Sequence, residues 1–137
     1  MSARAILLGL DVGERRIGVA IADTVGRLAA PLATLDVDGT EIVRLQRLLL
    51  EHNANGFVVG LPRNMSGQET AQTKAIQWFV LRRLKGFELP LHYQDESLTS
   101  VTAEEQLKQR KKPYTKADID ALAATTILQD YMEASHG

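Results

Sequence analysis

Three acidic residues, far apart along the chain, occupy positions suited to metal-assisted chemistry. Asp11 closes an apolar run, Ala5 to Asp11 (AILLGLD), and is followed at once by Val12-Gly13. The Asp95-Glu96 pair follows a second, shorter apolar segment, Leu91 to Gln94. Asp120 heads a stripe: the residues three, four, seven, eight and eleven positions on are Ala123, Ala124, Ile127, Leu128 and Tyr131, one face of a helix. A carboxylate on a core-facing stripe is expensive unless it is paired, hydrogen-bonded or bound to a metal. Asp118 has a plainer role, because Thr115 three residues earlier makes a capping-box start. Each candidate also has a bland explanation. Asp11 suits a hairpin turn, Glu96 an exposed acid leading into a helix, and Asp120 a partly exposed acid favoured by the helix dipole. If the acids do share a site, they repel until a cation neutralises them. With no cysteine and no histidine cluster, oxygen ligands point to Mg²⁺ or Mn²⁺. Two such ions about 4 Å apart can activate water and stabilise the leaving oxygen in a phosphodiester displacement.

The elements that must position these acids follow from periodicity. Ala5–Asp11, Arg16–Ala22 and Ala29–Leu35 read as three strands of an antiparallel meander. Pro31 confines the third to an edge, and Gly18 suggests close backbone approach. Apolar residues Ile42, Leu45, Leu48 and Leu49 give a helix over Thr40 to His52. Phe57 to Leu61 is a buried strand and Gln68 to Leu84 a helix burying Ile76, Phe79 and Val80. Leu91 to Gln94 is a short strand, and two helices follow, Thr99–Arg110 and Lys116–Glu133. Three strands, then alternating helix and strand, then two helices imply an α/β domain. Its five-stranded mixed sheet joins the meander to two parallel strands through right-handed crossovers. Ligands of such sheets bind at the carboxyl ends of the parallel strands, where Asp11 and the Asp95-Glu96 pair both end up.

Composition sets bounds on the rest. The 137 residues suit one domain, 1–137, with 45% hydrophobic and 24% charged residues, enough for a core without staples. The absence of cysteine excludes disulfides, thiolate metal sites and cysteine nucleophiles. Neither a signal peptide nor a membrane-spanning run is legible, so the expectation is a cytoplasmic protein. A net charge of -1 argues against binding nucleic acid through bulk basicity. A local patch remains: Lys108, Arg110, Lys111, Lys112 and Lys116, with Tyr114 among them, between the last two helices. These suit a basic loop on a phosphate backbone, or equally a solvated helix end. Arg15 and Arg16 in the first hairpin, and Arg63 in the Leu61–Gly67 loop before a helix, are further phosphate candidates. That loop lacks a Walker-type arrangement. His52, His92 and His136 do not cluster; His92 reads as a packing residue, and Trp78 as core or interface.

Four blocks of residues together resemble a known family. They are Gly9-Leu10-Asp11-Val12-Gly13 with Arg16-Ile17-Gly18-Val19-Ala20; Gly60-Leu61-Pro62 with Asn64-Met65 and Gly67; Asp95-Glu96 with Leu98-Thr99; and Asp120 with Ala123-Ala124 and Ile127-Leu128-Gln129. In this order, from about Leu8 to Tyr131, they resemble the YqgF/RuvX family of RNase H-like proteins, described as pre-16S rRNA nucleases or Holliday-junction resolvases. The resemblance implies an RNase H-like fold and puts the family's catalytic acids on Asp11, Glu96 and Asp120. Ser97 departs from it, standing where the family often has arginine.

The resulting expectation is a metal-dependent nuclease acting on structured RNA, monomeric or homodimeric, with rRNA precursors as the substrate that the resemblance implies. A resolvase of branched DNA shares the chemistry and would normally need a dimer. Two other classes compete. An ATP-binding domain of the actin and hexokinase type also carries an Asp-x-Gly turn, as in Asp11-Val12-Gly13, but closes two domains around its nucleotide. A non-catalytic RNA-binding assembly factor would have no reason to keep all three acids.

Overall fold

The computed structural model describes residues 4–62, 69–96 and 99–134. Arg63, Ser97 and the Asn64-Met65 and Gly67 part of the second block lie outside the described residues.

The meander forms as its patterning dictates: β1 (Ile6–Val12), β2 (Arg16–Asp23) and β3 (Ala30–Asp36), each antiparallel to the next. The first turn closes where the Gly13 amide donates to the Arg16 carbonyl at 3.0 Å. β3 is an edge strand, as Pro31 requires, and its register with β2 slips between Val19 and Ala20. α1 (Glu41–His52) then crosses to β4 (Gly56–Pro62), which pairs parallel to β1. β4 is buried along nearly its whole length, hence its unbroken apolar run GFVVGL. α2 (Ala71–Phe79) leads to β5 (Leu91–Glu96), parallel to β4. The sheet order is β3-β2-β1-β4-β5.

Two elements differ from the sequence reading by more than a residue at an end. α2 is regular only from Ala71, where the Thr70 hydroxyl accepts from the Thr73 amide and Thr73 returns the bond. Its last turns widen to a π-helical Val80–Leu84 and then tighten to a 3-10 turn, Lys85–Phe87. β5 runs two residues further than its apolar pattern suggests, because Asp95 and Glu96 still pair with Leu61 and Pro62. Strand pairing there is set by the neighbouring backbone, which polar side chains do not interrupt.

The sheet separates two apolar layers. On one face Leu8, Leu10, Val19, Phe57 and Val59 pack against α1 and the α2 segment through Leu45, Leu49, Ile76, Val80 and Leu84. On the other, Leu7, Ala20, Ala22 and Val58 pack against Ala124, Ile127, Leu128 and Met132 of α4 (Lys116–Ala134). α4 touches all five strands, and α3 (Thr99–Gln109) packs on α4. Two glycines let α4 sit this close. A Cβ on Gly9 would lie 2.7 Å from the Leu128 Cβ, and one on Gly18 only 2.0 Å from the Asp120 carbonyl oxygen. The helix is also tied at both ends. Thr34 Oγ1 donates to the Ala117 carbonyl at 2.7 Å, and the Arg27 guanidinium to the Met132 carbonyl at 2.9 Å.

Candidate active site

β1, β4 and β5 are parallel, so their carboxyl ends share one rim of the sheet. Asp11 is the penultimate residue of β1 and half-buried. Its cross-strand partner is Gly18. Directly opposed residues of an antiparallel pair present their side chains on one face. The Asp11 side chain therefore lies on the α4 face, where Gly18 offers only a hydrogen. The backbone of Asp120 fills that space, 2.0 Å from where a Cβ on Gly18 would be. With paired Cα atoms roughly 5 Å apart, the Asp120 carbonyl lies on the order of 8 Å from the Asp11 Cα. Two acids separated by over a hundred residues of chain thus both adjoin one glycine, Asp11 by strand pairing and Asp120 by its backbone. Glu96 closes β5 in register with Pro62. Adjacent strands lie about 4.8 Å apart, which puts the β5 end roughly 10 Å across the rim from β1.

Asp120 sits where the helix phase places it, as the inward-facing acid of the first turns of α4, its side chain 21% exposed. It is not alone there. Arg16 Nε donates to Asp120 Oδ2 at 2.6 Å, with the Arg16 side chain 29% exposed. Arg16 lies two residues before Gly18 on β2, hence on the same face of the sheet. A guanidinium thus meets part of the cost that a core-facing carboxylate incurs. The sequence reading saw Arg16 only as a phosphate contact; the signal it passed over was this shared strand parity. Asp118 keeps its plainer role: its carboxylate accepts from the Thr115 amide at 2.8 Å, and its own amide donates to the Thr115 hydroxyl at 3.2 Å.

The other candidates lie on several elements. Arg15 is exposed in the β1–β2 turn. Arg110, Lys111, Lys112 and Lys116 are all exposed, on the α3–α4 connection and the start of α4, with Lys111 in the left-handed region at φ 57°. Arg110, Lys112, Tyr114, Pro31 and Leu122 are among the residues lining a cavity of about 210 Å³, which reaches Ala121, next to Asp120. Tyr114 donates to Glu104 Oε2 at 3.1 Å; partial desolvation and that carboxylate raise its hydroxyl pKa above the ordinary value. His92 is exposed and stacks on Tyr131, ring centroids 5.2 Å apart, away from the acids. Trp78 is outside the core, 58% exposed, with the Arg82 guanidinium 4.3 Å from its ring centroid.

Among the described residues, no group of three or more acidic, histidine or cysteine side chains is already gathered to metal-binding distance. The acids present nonetheless suit a hard divalent cation: all are oxygen donors. Oδ2 of Asp120 is taken by Arg16, while Oδ1 accepts no hydrogen bond from the described residues.

Comparison with known proteins agrees with this architecture. Residues 5–134 match the family model described as RuvX, Holliday junction resolvase. A protein of Chloroflexus aggregans, provisionally named pre-16S rRNA nuclease, is 46% identical over 132 residues, covering 93% of this chain and 93% of its own. A Synechocystis protein with the same provisional name is 43% identical over 137 residues, covering 97% of this chain and 90% of its own. Among solved structures, Thermus thermophilus RuvC bound to a Holliday junction superposes with a TM-score of 0.57 at 18% identity, covering 97% of this chain and 96% of that one. The fowlpox virus Holliday junction resolvase gives 0.58 at 15% identity, covering 95% and 99%. These two share the RNase H-like fold with this chain. Relatives this similar over nearly their whole length place the chain in the RuvX family, and it is a nuclease, a hydrolase of phosphodiester bonds.

Proposed function

We propose that residues 1–137 form one domain that cleaves the 5′ region of precursor 16S rRNA in the cytoplasm, with Asp11, Glu96 and Asp120 as metal-holding catalytic acids. The observation that supports this most is that Gly18 both pairs with Asp11 and abuts the Asp120 backbone, with Arg16 bonded to Oδ2 of Asp120 and no described residue bonded to Oδ1. The substrate comes from the names of the relatives at 43–46% identity.

Mg²⁺ or Mn²⁺, as two ions, would supply a Lewis acid and an activated water when bound. Asp11 and Asp120 would hold them from β1 and α4, and Glu96 from the end of β5. Arg15, Arg63, Arg110, Lys111, Lys112 and Lys116 would carry the phosphate backbone of the flanking strand. Such contacts are tolerant of sequence and sensitive to salt.

A second reading, cleavage of branched DNA by a homodimer, is favoured by the family description and by the junction-bound structural neighbour. One experiment addresses both. Wild type, Asp11→Asn and Asp120→Asn are incubated with a 5′-extended 16S precursor and with a four-way DNA junction, in Mg²⁺, Mn²⁺ and EDTA. The expected result is metal-dependent cleavage of the RNA by wild type only. Cleavage of the junction alone would favour the resolvase, and undiminished RNA cleavage by both variants would remove the acids from the mechanism.

A further inference from the structure

We propose that Arg16 is a positioning residue of the metal site: its Nε holds Oδ2 of Asp120 so that Oδ1 meets the ion in a fixed orientation. The inference deepens the metal reading above and rests on it.

A carboxylate on a helix has two soft torsions, and a metal ligand must hold its oxygen to within a fraction of an ångström. The Asp120 backbone is fixed already, because its carbonyl lies against the bare Cα of Gly18 and Thr34 ties the neighbouring Ala117 carbonyl to β3. Its side chain is held by the bond from Arg16 Nε to Oδ2 at 2.6 Å. That distance is short even for a charge-assisted bond, and it uses one oxygen. Arg16 is itself anchored, since its carbonyl accepts from Gly13 and its backbone pairs with Asp36 of β3. The guanidinium therefore belongs to the sheet, and it transmits the sheet's rigidity to an acid carried by the helix.

Two consequences of a guanidinium beside a metal ligand oppose each other. Its positive charge repels an incoming cation, whereas its hydrogen bond prearranges the oxygen the cation needs. Lysine separates them, keeping the charge while losing the planar donor that reaches Oδ2. If charge governs, Arg16→Lys binds metal as wild type does and Arg16→Gln binds it more tightly. If positioning governs, both bind it more weakly.

The test titrates Mn²⁺ alone into wild type, Arg16→Lys, Arg16→Gln, Asp120→Asn and Arg16→Lys/Asp120→Asn, following water-proton relaxation. Thermal melting in EDTA establishes that each variant is folded, and Arg16→Gln stands in if Arg16→Lys is not. The expected result is about tenfold or greater weakening in both Arg16 variants, the usual effect of losing a group that orients a ligand. No further weakening is expected when Arg16→Lys is added to Asp120→Asn. Wild-type or tighter binding in the Arg16 variants, with Asp120→Asn still weakened, overturns the role of Arg16 and leaves the acids in place. Unaltered binding in Asp120→Asn overturns the metal reading itself, and the inference with it.

Discussion

A single methyl group at Gly18 is expected to separate the two acids assigned to the proposed site. On the β2 backbone, the Ala Cβ falls 2.0 Å from the Asp120 carbonyl oxygen and 2.4 Å from its carbon. These are main-chain atoms, so no rotamer change relieves the clash. Real Cβ contacts under 3.0 Å essentially never occur, so the start of α4 must retreat from β2 by about 1 Å at least. The Arg16–Asp120 bond, 2.6 Å at rest, would stretch to on the order of 3.6 Å, beyond hydrogen-bonding range. Overpacking of this kind destabilises by about 1–3 kcal/mol. For a domain of this size that is a fall of roughly 4–12 °C in Tm. The effect on catalysis is larger, because a 1 Å misplacement of a catalytic group can cost on the order of 100-fold.

Gly9 supplies the control. It lies two residues before Asp11 on the same strand face, and its added Cβ would press on Leu128, two helical turns beyond Asp120. Gly9→Ala should therefore destabilise comparably while leaving the acids closer to their places. Single-turnover cleavage of a labelled RNA at saturating Mn²⁺, beside urea unfolding of both variants, measures the two effects separately. Equal loss of rate in Gly9→Ala and Gly18→Ala, or a wild-type rate in Gly18→Ala, would refute the idea that this glycine sets the geometry of the acids.

Two further outcomes are expected. Removing Lys111 and Lys112 together should lower the slope of log binding constant against log salt by about one to two, without altering sequence preference, as measured by filter binding in EDTA. Burial, and then the neighbouring Glu133, hold the Asp130 carboxyl above its usual pKa. An acid whose pKa is raised by folding stabilises the fold at low pH relative to neutral pH. That advantage fades as pH rises through the folded-state value. Asp130→Asn should therefore raise Tm at pH 7, with the gain shrinking as pH falls through the raised folded-state value and gone below the ordinary carboxylate range; a gain that grew on acidification would contradict this.

Much of the fold could be read from the sequence because its signals are local. Period-two and period-3.6 patterns gave the strands and helices, and Pro31 named an edge strand that proved to be one. Errors fell where tertiary pairing overrides local preference. Asp95 and Glu96 stay in β5 because β4 offers them backbone partners. The Thr115–Asp118 cap was legible for the opposite reason: both partners lie within one helical turn.

For the Arg16–Asp120 pair the one local signal is the strand parity that Arg16 shares with Gly18, since its partners are separated by 104 positions and no period joins them. Helix phase did reveal that Asp120 needs compensation, which is an energetic requirement and not the identity of the partner. A cation of either kind satisfies it, and the structure supplies the guanidinium. The two are not exclusive, because a carboxylate has two oxygens and Nε occupies one. Side chains 21% and 29% exposed also keep solvent at the pair, which moderates both the attraction within it and the repulsion it exerts on a further cation. A fully buried bidentate pair would have closed Asp120 to metal. A partly exposed pair bonded through Oδ2 leaves the other oxygen of Asp120 to the proposed ion.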